Sequence, residues 1–313
     1  MHTLSLKDIL TLYRCRNKVI SLDYGTSLTR GSPFSPASIL MHLDPSHERF
    51  TAVSTLPKGE PALFGQMSYK PAAHQARMIF LAPEENIYTP ALASLVEVLL
   101  KQAGEWGVLH LTAEVEERAD IFQSLRKVGF AVFTRQRIWR LKQTKPMKED
   151  QRLLWELPQS ADELQVRLLY DGLVPAIVQQ VENFTFHAGQ GLVYRHQGEV
   201  LAYVEGIFGP HGVLLQPYVH PEVEHVEELI SQLPACFEPL FGRPVYIAVR
   251  SYQAWLDAPL EELNASPSPR LALMVRHLAN ITRLQYLENR KLILDNPQME
   301  TGAPAFQHFI HDN

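Results

Sequence analysis

Apolar and polar residues change rhythm several times along this chain, and the changes outline its elements. In VLHLTAEVEERADIFQSLRKVGFAVFTRQRIWRL, residues 108–141, Val108, His110 and Thr112 alternate with Leu109, Leu111 and Ala113 in a run rich in β-formers. Phe122, Leu125 and Val128 then recur at helical spacing, and Phe130 opens another apolar strand. The period passes from about two to about 3.6 and back, which predicts strand, helix, strand. Gly129 falls where the end of that helix needs a left-handed residue.

The same order of elements is predicted twice. In the first copy, strands at 50–55, 62–70 and 75–82 and a helix at 90–104 lead into the stretch above. In the second, strands at 191–195, 200–207 and 213–219 precede a helix at 221–233, a strand at 245–250, a helix at 253–263 and a strand at 270–277. Landmarks keep a nearly constant offset: Pro83 to Pro221 is 138 residues, Val108 to Val245 is 137 and Ala131 to Arg270 is 139. Spacing this regular over half a chain points to an internal duplication. The polar run QTKPMKEDQ, 143–151, separates the copies. The expected organisation is therefore 1–145, 146–283, and a C-terminal helix and tail at 284–313.

Helical material is expected before each sheet. Ser5 with Asp8, and Ser160 with Glu163, have the spacing of capping boxes. The second of these helices is expected to break at Gly172 and restart at Pro175, and Ser35 and Pro36 to open a short helix reaching His42. Leu284, Leu287 and Leu292 form a stripe on the expected tail helix.

Composition narrows the class. Of 313 residues, 46 % are hydrophobic and 20 % charged, as in a soluble globular protein. No apolar run approaches the roughly 20 residues that span a bilayer, and MHTLSLKDIL lacks the regions of a secretory signal, so a cytoplasmic location and no membrane partner are expected. A net charge of −5 gives no general attraction for nucleic acid. Cys15 and Cys236, far apart, are expected as buried free thiols. His220 and His225 are five apart and cannot share a metal across one helix face, so no metal site is expected. Glu116/Glu117 and Glu261/Glu262 are expected as solubilising pairs.

The helix, Gly129, Phe130, strand sequence resembles the end of a GNAT N-acyltransferase domain, and the doubled order resembles tandem GNAT-like domains. The resemblance implies an α/β (α+β) fold of two such domains, each a mostly antiparallel mixed sheet with helices on both faces and central strands that splay apart. It also implies a glycine-containing loop whose amides hold the coenzyme A pyrophosphate, and a tyrosine on the fourth helix that protonates the leaving thiolate. The matching loops here, 81–92 and 219–230, hold no glycine and carry Glu84, Glu85, Glu222 and Glu224. Carboxylates suit a helix N-terminus but repel a diphosphate. Leu125 and Leu260 stand where the tyrosine would, and Asn264 replaces the capping glycine in the second copy.

The expected function is thus a non-catalytic or weakened GNAT-like protein that binds a small molecule or a protein partner, with no catalytic residue and no cofactor assigned. The alternative is an active acyl-CoA-dependent N-acyltransferase that holds acetyl-CoA or another acyl-CoA in a non-standard site. Gln216, Tyr218, His220, Arg250 and Tyr252 supply polar groups beside the expected splay of the second copy and form the candidate pocket.

Overall fold

Strands dominate the computed structural model, which describes residues 2–3, 12–32, 49–54, 63–69, 74–142, 153–182, 184–189, 191–237 and 242–278. In chain order, the first half contributes β1 (His2–Thr3), β2 (Ile20–Ser21), α1 (Tyr24–Arg30), β3 (Arg49–Ser54), β4 (Leu63–Tyr69), β5 (Gln75–Ala82), α2 (Ala91–Glu105), β6 (His110–Glu116), α3 (Asp120–Lys127) and β7 (Ala131–Arg140). The second contributes β8 (Trp155–Glu156), α4 (Glu163–Leu173), α5 (Ala176–Val181), β9 (Leu192–His196), β10 (Glu199–Phe208), β11 (Val213–Val219), α6 (Val226–Cys236), β12 (Val245–Arg250), α7 (Asp257–Glu262), β13 (Ser266–Pro267) and β14 (Leu271–His277). Ser5/Asp8, the helix expected at 35–42, the separating run at 143–151 and the tail helix lie outside the described residues. The chain divides into two units, Met1–Arg276 and His277–Asn313.

Each half repeats one plan: an antiparallel meander, a helix, a parallel strand, a further helix and a last strand. β3, β4 and β5 form the first meander and β9, β10 and β11 the second. The helices follow their apolar stripes. In α2, Leu92, Leu95, Val96, Leu99 and Ala103 are all buried on one face, and Pro90 occupies the cap position. The strand after Gly107 begins at His110 and runs to Glu116, two residues later than the alternation suggested.

The last strands are exchanged between the halves. The strand order is β1-β3-β4-β5-β6-β14-β7-β12-β11-β10-β9-β8, so β14 lies between β6 and β7, and β7 lies between β14 and β12. The first part of β7 pairs antiparallel with β14, Leu271 opposite Gln136, and its later part with β12, Arg250 opposite Gln136 and Tyr246 opposite Arg140. Trp139 of β7, fully buried, packs in a core made almost wholly of second-half residues, and its Nε1 donates to Asp257 at 2.8 Å. One sheet therefore runs through both halves.

Several local expectations shift. The helix expected from Pro221 starts at Val226, because Val223 N donates back to the His220 carbonyl and His225, at φ 55°, turns the chain before the helix begins. That turn lets Val223 and Val226 both reach the core. The capping interaction before α4 sits one residue early: Gln159 N donates to the Asp162 carboxylate at 2.7 Å, and Arg195 Nη2 holds the same carboxylate at 2.5 Å. The break expected at Gly172 falls later, since α4 runs through Gly172 to Leu173 and the chain becomes extended at Val174; the restart behind Pro175 occurs as expected. Gly129 has φ +88° and Asn264 φ 55°, the left-handed caps the alignment required. Both cysteines are free but half-buried. Among the described residues no helix is long and apolar enough to cross a membrane.

Candidate functional site

Two neighbouring parallel strands in each half touch only at their starts. β5 and β6 pair at Gln75/His110, Ala76/Leu111 and Arg77/Thr112, and β11 and β12 at Val213/Val245, Leu214/Tyr246 and Leu215/Ile247. Beyond three pairs the strands diverge, and each wedge would leave backbone amides without partners in a dry interior. Both wedges are closed from within the chain. In the first half, β2 enters alongside β5, with Ile20 opposite Leu81 and Ser21 opposite Phe80. Leu22 N then donates to the Ile79 carbonyl, and the Leu22 carbonyl accepts from Glu114 N, each at 2.8 Å, so one residue bridges both walls. In the second half a side chain satisfies the β11 wall. Gln253, 1 % exposed, accepts from Val219 N at 2.8 Å and donates to the Pro217 carbonyl at 2.9 Å.

Beside these closures lies a polar cavity of about 100 Å³. The first half lines it with Asp23, Gln75, Arg77, Thr112, Glu114 and Gln136, and the second with Glu182, Glu205, Gln216 and Arg250; Leu22, Phe133, Leu214 and Leu273 add apolar wall. Asp23 is committed to capping α1: its two oxygens accept from Thr26 N and Thr26 Oγ1, both at 2.8 Å. Glu114 accepts from Tyr24 N at 3.0 Å and Gln136 Nε2 at 3.4 Å, both at Oε2. Arg250 is 6 % exposed; its Nη2 reaches both Glu182 oxygens at 2.9 and 3.1 Å, whereas its Nε and Nη1 are buried without a partner. Arg77 is exposed at the rim and makes no ion pair among the described residues.

The charges in this cavity are strongly coupled. Burial, reinforced by Asp23, pushes the Glu114 carboxyl up to about 7, against the pull of Arg250 and Arg77. Burial also raises Glu205, although the Tyr218 hydroxyl donates to it. Burial works against the charge of Arg250, but Glu182 and the neighbouring Tyr252 and Glu114 more than offset it, so the guanidinium stays ionised.

No family model matches the chain, and no curated protein does. Among solved structures, a GCN5-related N-acetyltransferase from Sphaerobacter thermophilus superposes with a TM-score of 0.51 at 11 % identity, over 88 % of this chain and 95 % of that one. The fold is that of the GNAT acetyltransferases. Two further GNAT structures are also similar. One, from Kribbella flavida, has a TM-score of 0.48 at 12 % identity, over 76 % of this chain and 93 % of that one. The other is a tandem GNAT protein of the clavulanic acid biosynthesis pathway, with a TM-score of 0.45 at 14 % identity, over 75 % and 84 %.

Leu125 and Leu260, where the resemblance leads one to expect a tyrosine, are fully buried in the core. In the segment expected to match the first coenzyme loop, Glu84 N donates to the Lys18 carbonyl at 2.9 Å and Glu85 pairs with Lys18 Nζ at 2.5 Å. Of the five residues expected to form a pocket, Gln216 and Arg250 line the cavity. Gln216 Nε2 donates to the Tyr218 hydroxyl at 2.8 Å, which places Tyr218 directly behind it. The Tyr252 hydroxyl is buried without a partner close to Arg250. His220 stands apart at the end of β11, accepting from Glu222 N at 3.3 Å. The cavity thus draws on both halves, because α1 and the exchanged strand β7 bring first-half side chains to the second-half sheet.

Glu114, Glu182, Glu205, Arg77 and Gln253 were not singled out in the sequence. A signal existed for two of them: Glu114 in LTAEV and Glu205 in AYVEGIF are each the one charge in a run of otherwise uncharged strand residues, which is costly unless partnered. Glu116 and Glu117, expected as solubilising, are engaged: Glu116 accepts from the Tyr24 hydroxyl at 2.9 Å and Glu117 pairs with Arg135.

Proposed function

We propose that this chain is a non-catalytic GNAT-fold protein that binds a small molecule in the cavity shared by its two halves. The observation that carries the reading is the closure of both wedges. Strand-edge amides that the splay of this fold leaves open are held here by the Leu22 backbone in one half and the Gln253 side chain in the other. A coenzyme arm would have to displace hydrogen bonds already made in the interior. The loops support the same view, since Glu84, Glu85, Glu222 and Glu224 set carboxylates where a diphosphate would sit. Leucine at 125 and 260 can transfer no proton.

The competing reading, an active acyl-CoA-dependent N-acyltransferase, has one feature in its favour. An open cleft of about 330 Å³ beside the first loop is lined by Arg118 with Ile20 and Ile121. Glu84 and Asp120 share that lining, so the single cation faces two carboxylates. Thermal melting with acetyl-CoA separates the two readings. A ligand at about 100 times its Kd adds about 2.7 kcal/mol of stability. Millimolar acetyl-CoA is expected to leave the Tm unchanged, and a saturable rise with a micromolar constant would refute the proposal.

A further inference from the structure

Resting on that reading of the cavity, we infer that its ligand is a small zwitterion carrying one carboxylate and one ammonium group, of the size and chemistry of a simple amino acid. Two independent features require opposite charges in one molecule. The first is Arg250, nine-tenths buried and lining the cavity, with Nε and Nη1 lacking any acceptor. A buried guanidinium N–H without a partner is costly, and a carboxylate is the acceptor that suits it best. The second is the surrounding charge. Four carboxylates, Asp23, Glu114, Glu182 and Glu205, share the lining with two guanidiniums, Arg77 and Arg250. A ligand that is only an anion leaves the open carboxyl oxygens of Glu114 and Glu205 without a donor, and one that is only a cation leaves the Arg250 donors unmet.

The available oxygens locate the ammonium. Glu182 is occupied by Arg250 and Asp23 by the α1 cap. Glu114 makes its hydrogen bonds through Oε2, and Glu205 accepts the Tyr218 hydroxyl on Oε1. Oε1 of Glu114 and Oε2 of Glu205 have no hydrogen-bond partner among the described residues, so they are the natural acceptors. Size agrees with this. An apolar cavity of about 150 Å³ takes benzene, so about 100 Å³ holds roughly four to six non-hydrogen atoms, with room for a side chain only toward the exposed rim at Arg77.

The test is calorimetry and thermal melting of the full chain with glycine, β-alanine, L-alanine, L-serine and L-aspartate, beside ethylammonium and propionate as single-charge controls. At least one zwitterion is expected to bind saturably with a submillimolar Kd while both controls fail. Arg250→Lys and Glu205→Gln, checked for folding by circular dichroism, are each expected to weaken that zwitterion tenfold or more. Binding of ethylammonium or propionate as tightly as the best zwitterion overturns the inference, as does binding of none of the five zwitterions, or folded variants with unchanged affinity. Should both variants unfold, the wild-type comparison of zwitterions with single-charge controls decides alone. Acetyl-CoA in the same series reads the other claim: a saturable acetyl-CoA signal removes the non-catalytic reading, whereas silence from acetyl-CoA and the zwitterions together removes only the ligand class.

Discussion

Glu114 shows the electrostatic cost that one carboxyl in the cavity carries. Its folded pKa of about 7 exceeds the ordinary 4.5, so the native state binds this proton more tightly than the unfolded chain. Its stabilising contribution is therefore complete below about pH 4.5 and is lost as pH rises through about 7. Urea unfolding at several pH values is expected to show stability falling across that window, and Glu114→Gln to flatten that part of the slope; an identical slope in the variant would remove the assignment. Gln253 is the complementary case, neutral and fully satisfied. Gln253→Leu strands the Val219 amide and the Pro217 carbonyl, each worth about 1–3 kcal/mol when buried unpaired, so a loss of about 2–6 kcal/mol is expected in chemical denaturation. Gly129→Val meets a left-handed φ of +88°, whereas the close approach of the added Cβ to the Arg276 guanidinium, the far end of a flexible side chain, is relieved by a shift of that side chain. It is expected to cost more than about 1 kcal/mol, while Asn264→Gly is neutral or stabilising by a few tenths. Equal unfolding midpoints for wild type and Gly129→Val would show the cap to be misassigned.

Among the elements, the short β2 and the Leu22 that follows it have an influence out of proportion to their length. Two residues of strand gain little by themselves, yet here they insert between walls that have separated and make the bonds the walls have lost. α1 follows at once and lies over the second-half sheet, where an added Cβ on Gly209 would sit 2.1 Å from the Thr29 carbonyl oxygen. This small segment therefore closes one wedge and roofs part of the cavity. Hydrogen exchange is expected to protect the Leu22 and Glu114 amides to the level of the central strands. Fast exchange at both Leu22 and Glu114, with the strand-paired amides of β5 still protected, would mean the plug opens independently, and the first wedge would then be a cleft available to ligands.

For the whole molecule, the exchange of β7 and β14 decides how the halves cooperate. Each half contributes its last strand to the other's neighbourhood, so 1–145 and 146–313 made separately each lack a central strand neighbour. Neither fragment is expected to give a cooperative unfolding transition alone, and mixing or co-expression is expected to restore one; a fragment that melts cooperatively by itself would show the exchange to be dispensable. The sequence by itself determined what depends on neighbours a few residues away. The meanders, α2, the left-handed positions at Gly129 and Asn264, and the repeat with its near-constant offset all follow from local period and turn chemistry. Gln216 and Arg250 were also legible, as polar groups next to an expected splay. Tertiary structure alone decided the rest. Leu22 is an apolar residue in a stretch assigned to no element and Gln253 one more glutamine on a helix start, since a plug is defined by the gap it fills and that gap is formed by strands far away in sequence. The cavity has the same origin. Glu114 and Arg250 are separated by more than a hundred residues and come together because exchanged strands merge two sheets into one, a long-range pairing to which no local pattern contributes.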